Sequence, residues 1–203
     1  MRFALPILAT LILLPALPAR AGAAEGPGTA AVRKANDQVS TLLKRKVAAG
    51  SPEEKKLAAE ITSQLRGFLD IDEMGKRALV DHWAQLSATD RAEFSKLLRE
   101  LIEAHYVKGL RSNIEYKVKY LGEKPDAGGQ VVNTEVETQR KGRPYKVSID
   151  YKLRRDGGVW KAYDVVTDGI GMVENYRAQF NKIIAKDGMT GLLDRMRKKK
   201  ATI

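Results

Sequence analysis

Carboxylates and histidines are the side chains here that could do acid–base chemistry, and their spacing limits what they can do. Asp164 and Asp168 fall on one face of an expected strand, and four residues of extended chain separate them by about 13 Å. A glycosidase pair needs about 5–9.5 Å, so the two cannot work together. Asp70 and Asp72 look like the start of a metal cluster, but a helix N-cap at Asp72 accounts for them more simply. His82 and His105 lie in separate helical stretches beside aromatic residues, where imidazoles serve packing or capping. The motifs G-x-S-x-G, H-E-x-x-H and G-x-x-x-x-G-K are absent. With no cysteine there is no thiol catalysis, disulfide, Cys-bound zinc, iron–sulfur cluster or thioether-linked lipid anchor. Two histidines are too few for a His-rich metal site, and no cofactor is expected.

Two features keep a functional reading beside a structural one. Asp164, in the register worked out below, faces inward opposite Ile149, where a carboxylate needs a hydrogen-bond partner or a raised pKa. It is either a base in an apolar cavity or a satisfied acid tying its strand to the next helix. The basic end Arg195, Arg197, Lys198, Lys199 and Lys200 either complements a helix dipole or docks on an anionic bilayer. In the second case each charge is worth about 1 kcal/mol.

The chain that must position these groups has 203 residues, enough for one ordinary domain. Its 43% hydrophobic content supports a core, and 36 basic against 25 acidic residues give a net charge of +11. Such a surface suits nucleic acid, phosphate or an anionic membrane. The first residues narrow that choice. Arg2 opens a short basic region, Phe3 to Leu17 is almost wholly apolar, and Ala19-Arg20-Ala21-Gly22-Ala23 offers A-x-A cleavage positions. The apolar run is shorter than the ~20 residues that span a bilayer, and Pro6 and Pro15 interrupt it. Residues 1–23 therefore read as a cleaved signal peptide and 24–203 as a single exported domain. Export removes nucleic acid from the partners and leaves lipid phosphates or an acidic protein.

Hydrophobic spacing supplies the elements. Glu25 to Thr29 reads as a linker, and a helical period runs from Ala30 to Val47, ended by Gly50. Ser51-Pro52-Glu53-Glu54 opens a second helix with a capping box and a first-turn proline. A short helix is expected from Asp72 to His82-Trp83, and Ser87 to Asp90 opens a long one carrying Phe94, Leu97, Leu98, Leu101, Ile102, His105 and Tyr106. From Ile114 the period becomes two: four strands alternate, the last from Val159 to Thr167. A Lys141-Gly142 turn pairs Thr138 with Tyr145, Val136 with Val147 and Thr134 with Ile149. An Asp156-Gly157 turn pairs Leu153 with Trp160, Tyr151 with Ala162 and Val147 with Val166, at the cost of setting Lys152 beside Lys161. A three-residue loop there would instead turn Tyr163 and Val165 inward. After the sheet a helix with Met172, Val173, Tyr176, Phe180 and Ile183 runs to Gly188, and a last one carries Leu192, Leu193 and Met196. The class is α+β: an antiparallel meander of four strands, or five, with helices packed on one face.

Trp160-Lys161-Ala162-Tyr163-Asp164-Val165-Val166, then Gly169-Ile170-Gly171-Met172-Val173 and Asn175-Tyr176-Arg177-Ala178-Gln179-Phe180, resembles the signature of the toluene-tolerance family. These are the MlaC-like periplasmic phospholipid-binding proteins of the Mla pathway. Trp83, Arg91-x-x-Phe94 and Tyr106 match the same family's spacing. Gly171 departs from it where serine is usual, and Asp168 where glutamate is usual. The resemblance implies a cystatin-like cone with an apolar cavity for phospholipid tails. It implies a shuttle between an inner-membrane ABC transporter complex and an outer-membrane lipoprotein complex, with no chemistry and no cofactor.

Candidate lipid-binding residues are those facing inward: Tyr116, Val118, Val136, Val147, Ile149, Tyr151, Trp160 and Val166 on the sheet, and Leu97, Leu101, Tyr176 and Phe180 on the helices. Ordinary core packing would bury the same residues. Three classes stay open: a lipid carrier, with phospholipid or a hopanoid-type lipid as cargo; an enzyme using the cavity with Asp164 as base; and a periplasmic adaptor.

Overall fold

The computed structural model describes residues 25–112, 116–140 and 142–202, without the side chains of 106–112 and 140. The expected signal peptide, Ile114, Lys141 and the Tyr106 side chain lie outside the described residues.

Caps set the helix starts. α1 (Pro27–Leu43) begins inside the expected linker, because Pro27 suits the first turn of a helix, and it ends well before Gly50. α2 (Pro52–Phe68) opens as expected: Ser51 Oγ accepts from Glu54 N–H at 3.1 Å, and Glu54 Oε2 accepts from Gly50 N–H at 2.6 Å. α3 (Ile71–Leu79) corrects the expectation at Asp72. Its cap is Asp70, which accepts from Glu73 N–H at 3.1 Å, while Asp72 pairs with Arg99 at 2.9 Å. The expected run into Trp83 breaks at Val80, where φ is 41°, and α4 (Asp81–Gln85) follows. α5 (Ala88–Ser112) starts from Ser87, whose Oγ accepts from Asp90 N–H at 3.1 Å. α6 (Met172–Lys200) is kinked at Gly188, with φ 67° and ψ −176°.

The strands β1 (Tyr116–Asp126), β2 (Gly129–Arg140), β3 (Arg143–Asp156), β4 (Val159–Thr167) and β5 (Ile170–Gly171) form one antiparallel meander in chain order. The β2–β3 register is the expected one, with Val136 opposite Val147 and Glu137 opposite Lys146. The β3–β4 register differs. Asp156 pairs with Val159, so the turn is Gly157-Gly158, both at positive φ. Such a two-residue turn needs left-handed backbone at both positions, which two glycines supply without steric cost. Leu153 therefore faces Ala162, and Trp160 faces Arg155.

A bulge then leaves Tyr163 without a partner across the ladder, and the later pairs are Lys152–Asp164, Tyr151–Val165 and Asp150–Val166. The bulge coincides with a cross-link from the helices: Ala162 C=O accepts from Asp70 N–H at 2.8 Å. The pairs Tyr151–Ala162 and Val147–Val166 do not form, and Lys152 meets an acid instead of Lys161. A one-residue slip exchanges faces. Val165 is thereby turned inward beside Tyr151, and Val166 stands with Asp150 on the other face.

The helices pack on the inward face of the sheet. Phe94 is fully buried and meets Trp83 and Phe180 edge-on, with centroids 6.3 and 5.5 Å away. Gly75 makes room on α3, since a Cβ there would stand 2.9 Å from Phe94 Cε1. The outer face carries an exposed lattice in which Lys119 bonds Glu137 at 2.7 Å and Lys146 bonds Glu135 at 2.9 Å. Hydrogen bonds from these lysines hold both glutamates below the usual carboxylate range.

Candidate binding cleft

Between the sheet and the helices lies an open cleft of about 2460 Å³. That is well beyond the ~300–1,000 Å³ of a pocket for a drug-sized ligand. Its walls follow from helix geometry. On α5, Leu97, Leu98 and Ile102 turn into the core, which leaves Leu101 and Ala104 toward the cleft. Leu43 and Leu57 close the α1–α2 side, and Val165 and Met172 close the corner where β4 and β5 hand over to α6.

Two phenols stand in this wall. Tyr176 stacks on Phe180 at 5.4 Å with the rings 14° apart, and burial pushes its pKa up. Burial also raises Tyr116, opposed by a hydrogen bond with Ser40. Both therefore stay neutral, as an apolar ligand requires.

The expected lining residues fall in different places. Leu101, Tyr116 and Tyr176 border the cleft. Leu97, Tyr151 and Phe180 belong to the hydrophobic core, Tyr151 meeting Phe68 edge-on at 5.9 Å. Val118, Val136 and Val147 form one row across β1–β3, with Ile149 further along β3, outside the cleft wall. Trp160 sits at the Gly157-Gly158 end of the sheet under the Arg155 guanidinium, 5.1 Å from its centroid. Val166, expected inward, is on the opposite face because of the bulge. Leu43, Val165 and Met172 were not anticipated in the wall. The alternative three-residue loop would also have turned Val165 inward, but the structure does so through the bulge at Tyr163, with a two-residue turn.

The acids separate clearly. Asp164 is buried; its Oδ1 accepts from Val173 N–H at 3.0 Å, and Lys152 Nζ stands 3.7 Å from Oδ2. It thus caps α6 from β4, in place of Gly171, which has no side chain to do so. Asp168 is not on the strand face expected for it. It occupies the β4–β5 turn at φ 47° and accepts from Ser148 N–H at 3.0 Å. His82 is half-buried and His105 exposed. Among the described residues no group of three His, Cys, Asp or Glu could hold a metal ion.

Most of the basic end is engaged: Arg195 with Asp187 at 2.5 Å, Arg197 with Glu93 at 2.7 Å and Lys200 with Glu100 at 2.8 Å. The last two fasten the end of α6 to α5. No helix among the described residues is long and apolar enough to cross a membrane.

An open antiparallel sheet, helices on one face and a large, mainly apolar cleft between them define an α+β protein with room for a bulky apolar ligand. The model of the MlaC protein family matches residues 33–198, so the chain belongs to the MlaC family. It is 23% identical over 189 residues to the intermembrane phospholipid transport system binding protein MlaC of Haemophilus influenzae, covering 92% of this chain and 88% of the relative. The phospholipid-binding protein from Ralstonia solanacearum, solved in complex with a phospholipid, shares the fold at a TM-score of 0.73 and 23% identity. That match covers 87% of this chain and 98% of the other.

Proposed function

We propose that this chain is a periplasmic phospholipid carrier, without catalytic activity, that moves lipid between an inner-membrane ABC transporter complex and an outer-membrane lipoprotein complex. The observation that carries the reading is the cleft: its volume and its apolar walls suit acyl chains. Each methylene kept from water is worth about 0.8 kcal/mol, so one chain costs on the order of 10 kcal/mol to expose. A carrier must supply a lining nearly as apolar as the bilayer, without exceeding it by so much that release fails.

Tails would lie against Leu101, Tyr116 and Tyr176, backed by Leu97, Tyr151 and Phe180. The inward row Val118, Val136 and Val147, with Ile149, lies beyond the cleft wall on the same face of the sheet and would offer tails further apolar surface there. Trp160, at the Gly157-Gly158 end of the sheet, and Val166, on its other face, would not touch the tails. Asp164, occupied as a helix cap, gives no support to an acid–base role.

Leu101→Trp tests the reading. An indole in a tail-filled cleft displaces lipid with little strain, whereas in a solid core it overpacks at about 1–3 kcal/mol. The variant should carry severalfold less phospholipid by mass spectrometry of solvent extracts. Its unfolding midpoint should stay unchanged in delipidated samples, which remove the stabilisation that bound lipid adds by mass action. Wild-type protein that carries no lipid, or a variant that loses stability and keeps its lipid, would refute the proposal.

A further inference from the structure

Most acids bordering the cleft are paired with cations, and three of its bordering cations are unpaired among the described residues. Glu103 is held by Arg66 at 2.6 Å, Glu100 by Lys200 at 2.8 Å and Glu137 by Lys119 at 2.7 Å; Asp168 accepts from Ser148 N–H at 3.0 Å, which holds it without cancelling its charge, so it offsets one of the lysines below. Arg45 is likewise spoken for, by Glu60 at 2.5 Å. Lys44, Lys46 and Lys199 border the same opening, are exposed, and have no carboxylate partner among the described residues. Two come from the stretch between α1 and α2 and one from the far end of α6, so separate elements deliver ammonium groups in excess of the acids to one mouth. Lys117, also at the border, stands opposite Glu137 in the sheet.

We propose that this mouth selects phospholipids whose headgroup carries a net negative charge over zwitterionic ones. The inference rests on the carrier reading. Tails buried in the cleft leave the phosphate at its opening, where Lys44, Lys46 and Lys199 lie. A zwitterionic headgroup brings its own ammonium, which cancels part of that attraction and is repelled by the same lysines. The groups face solvent, so the preference is modest and fades with salt.

Delipidated full-length mature protein is incubated with vesicles of phosphatidylglycerol and phosphatidylcholine in equal amounts with identical acyl chains, repurified, and its lipid counted by mass spectrometry. Both lipids come from one vesicle. Attraction of the protein to the charged surface therefore raises their uptake alike, and the ratio inside the protein reports the headgroup. The expected result is an excess of phosphatidylglycerol of about fivefold, the effect of roughly one well-placed lysine near an anionic lipid surface. The excess should fall toward unity at ~1 M salt, where the Debye length is about 3 Å. It should fall likewise at low salt in the triple variant Lys44→Gln, Lys46→Gln, Lys199→Gln. Equal uptake of the two lipids overturns the selection and leaves the carrier standing. So does an excess that survives both salt and the triple variant. Uptake of neither lipid overturns both.

Discussion

Asp164→Ala removes the carboxylate that caps α6 across the strand-to-helix corner. The bond lost is 3.0 Å long, buried, and runs from the Val173 N–H to a charged acceptor. Hydrogen bonds to charged groups are worth about 1.5–3 kcal/mol. For a domain of 150–250 residues each kcal/mol moves Tm by about 2–4 °C, so a fall of about 3–12 °C is expected. Asp164→Asn keeps an acceptor oxygen and loses the charge, and should cost about 1 kcal/mol.

The corner also supplies a rescue. A Cβ at Gly171 would stand 3.0 Å from Asp164 Oδ2, so Gly171→Ser crowds the carboxylate in the wild-type background and should be neutral or destabilising. With the carboxylate gone that space is free. Gly171 has the extended backbone of an N-cap (φ −73°, ψ 137°), and a hydroxyl there can accept from Val173 N–H. Gly171→Ser should then restore about 1 kcal/mol to Asp164→Ala. Urea unfolding of the four delipidated proteins measures the cycle, and lipid content should be unchanged in Asp164→Asn. If Asp164→Ala costs under ~0.5 kcal/mol, or the serine acts alike in both backgrounds, the cap assignment is wrong.

Phe94→Ala should cost about 3–5 kcal/mol in urea unfolding, because a fully buried ring packed on Trp83 and Phe180 leaves a cavity; a loss below ~1 kcal/mol would mean that α3, α5 and α6 do not meet there. The mature protein should begin between Gly22 and Glu25, and N-terminal sequencing that finds Met1 would end the exported reading.

Local chemistry made much of this protein legible. Ser51 and Ser87 cap the helices they were expected to cap, since a capping side chain reaches only its own first turn. The change of period after α5 marked the sheet, and residues in alternation gave the β2–β3 register, because a two-residue turn leaves little freedom in what faces what. The α+β class, the apolar faces and the signature around Trp160 to Phe180 were present in the chain itself, and the family match over residues 33–198 agrees with them.

What the sequence did not settle was decided by contacts between segments far apart in the chain. Asp70, not Asp72, caps α3 while also holding Arg154, 84 residues away. The β4 bulge coincides with the bond from Asp70 N–H to Ala162 C=O, and that one extra residue moved Val166 off the inward face and brought Val165 onto it. Alternation says which residues share a face, but not whether another element fills the space in front of them. Core and cleft wall are built from the same residue types. The sequence by itself therefore determined the elements and their apolar faces, through local periods and caps. Only the packing of α1, α2 and α6 against the sheet, with α5 laid on α2 and α6, decided that Leu101, Tyr116 and Tyr176 border an opening while Leu97, Tyr151 and Phe180 are sealed behind them.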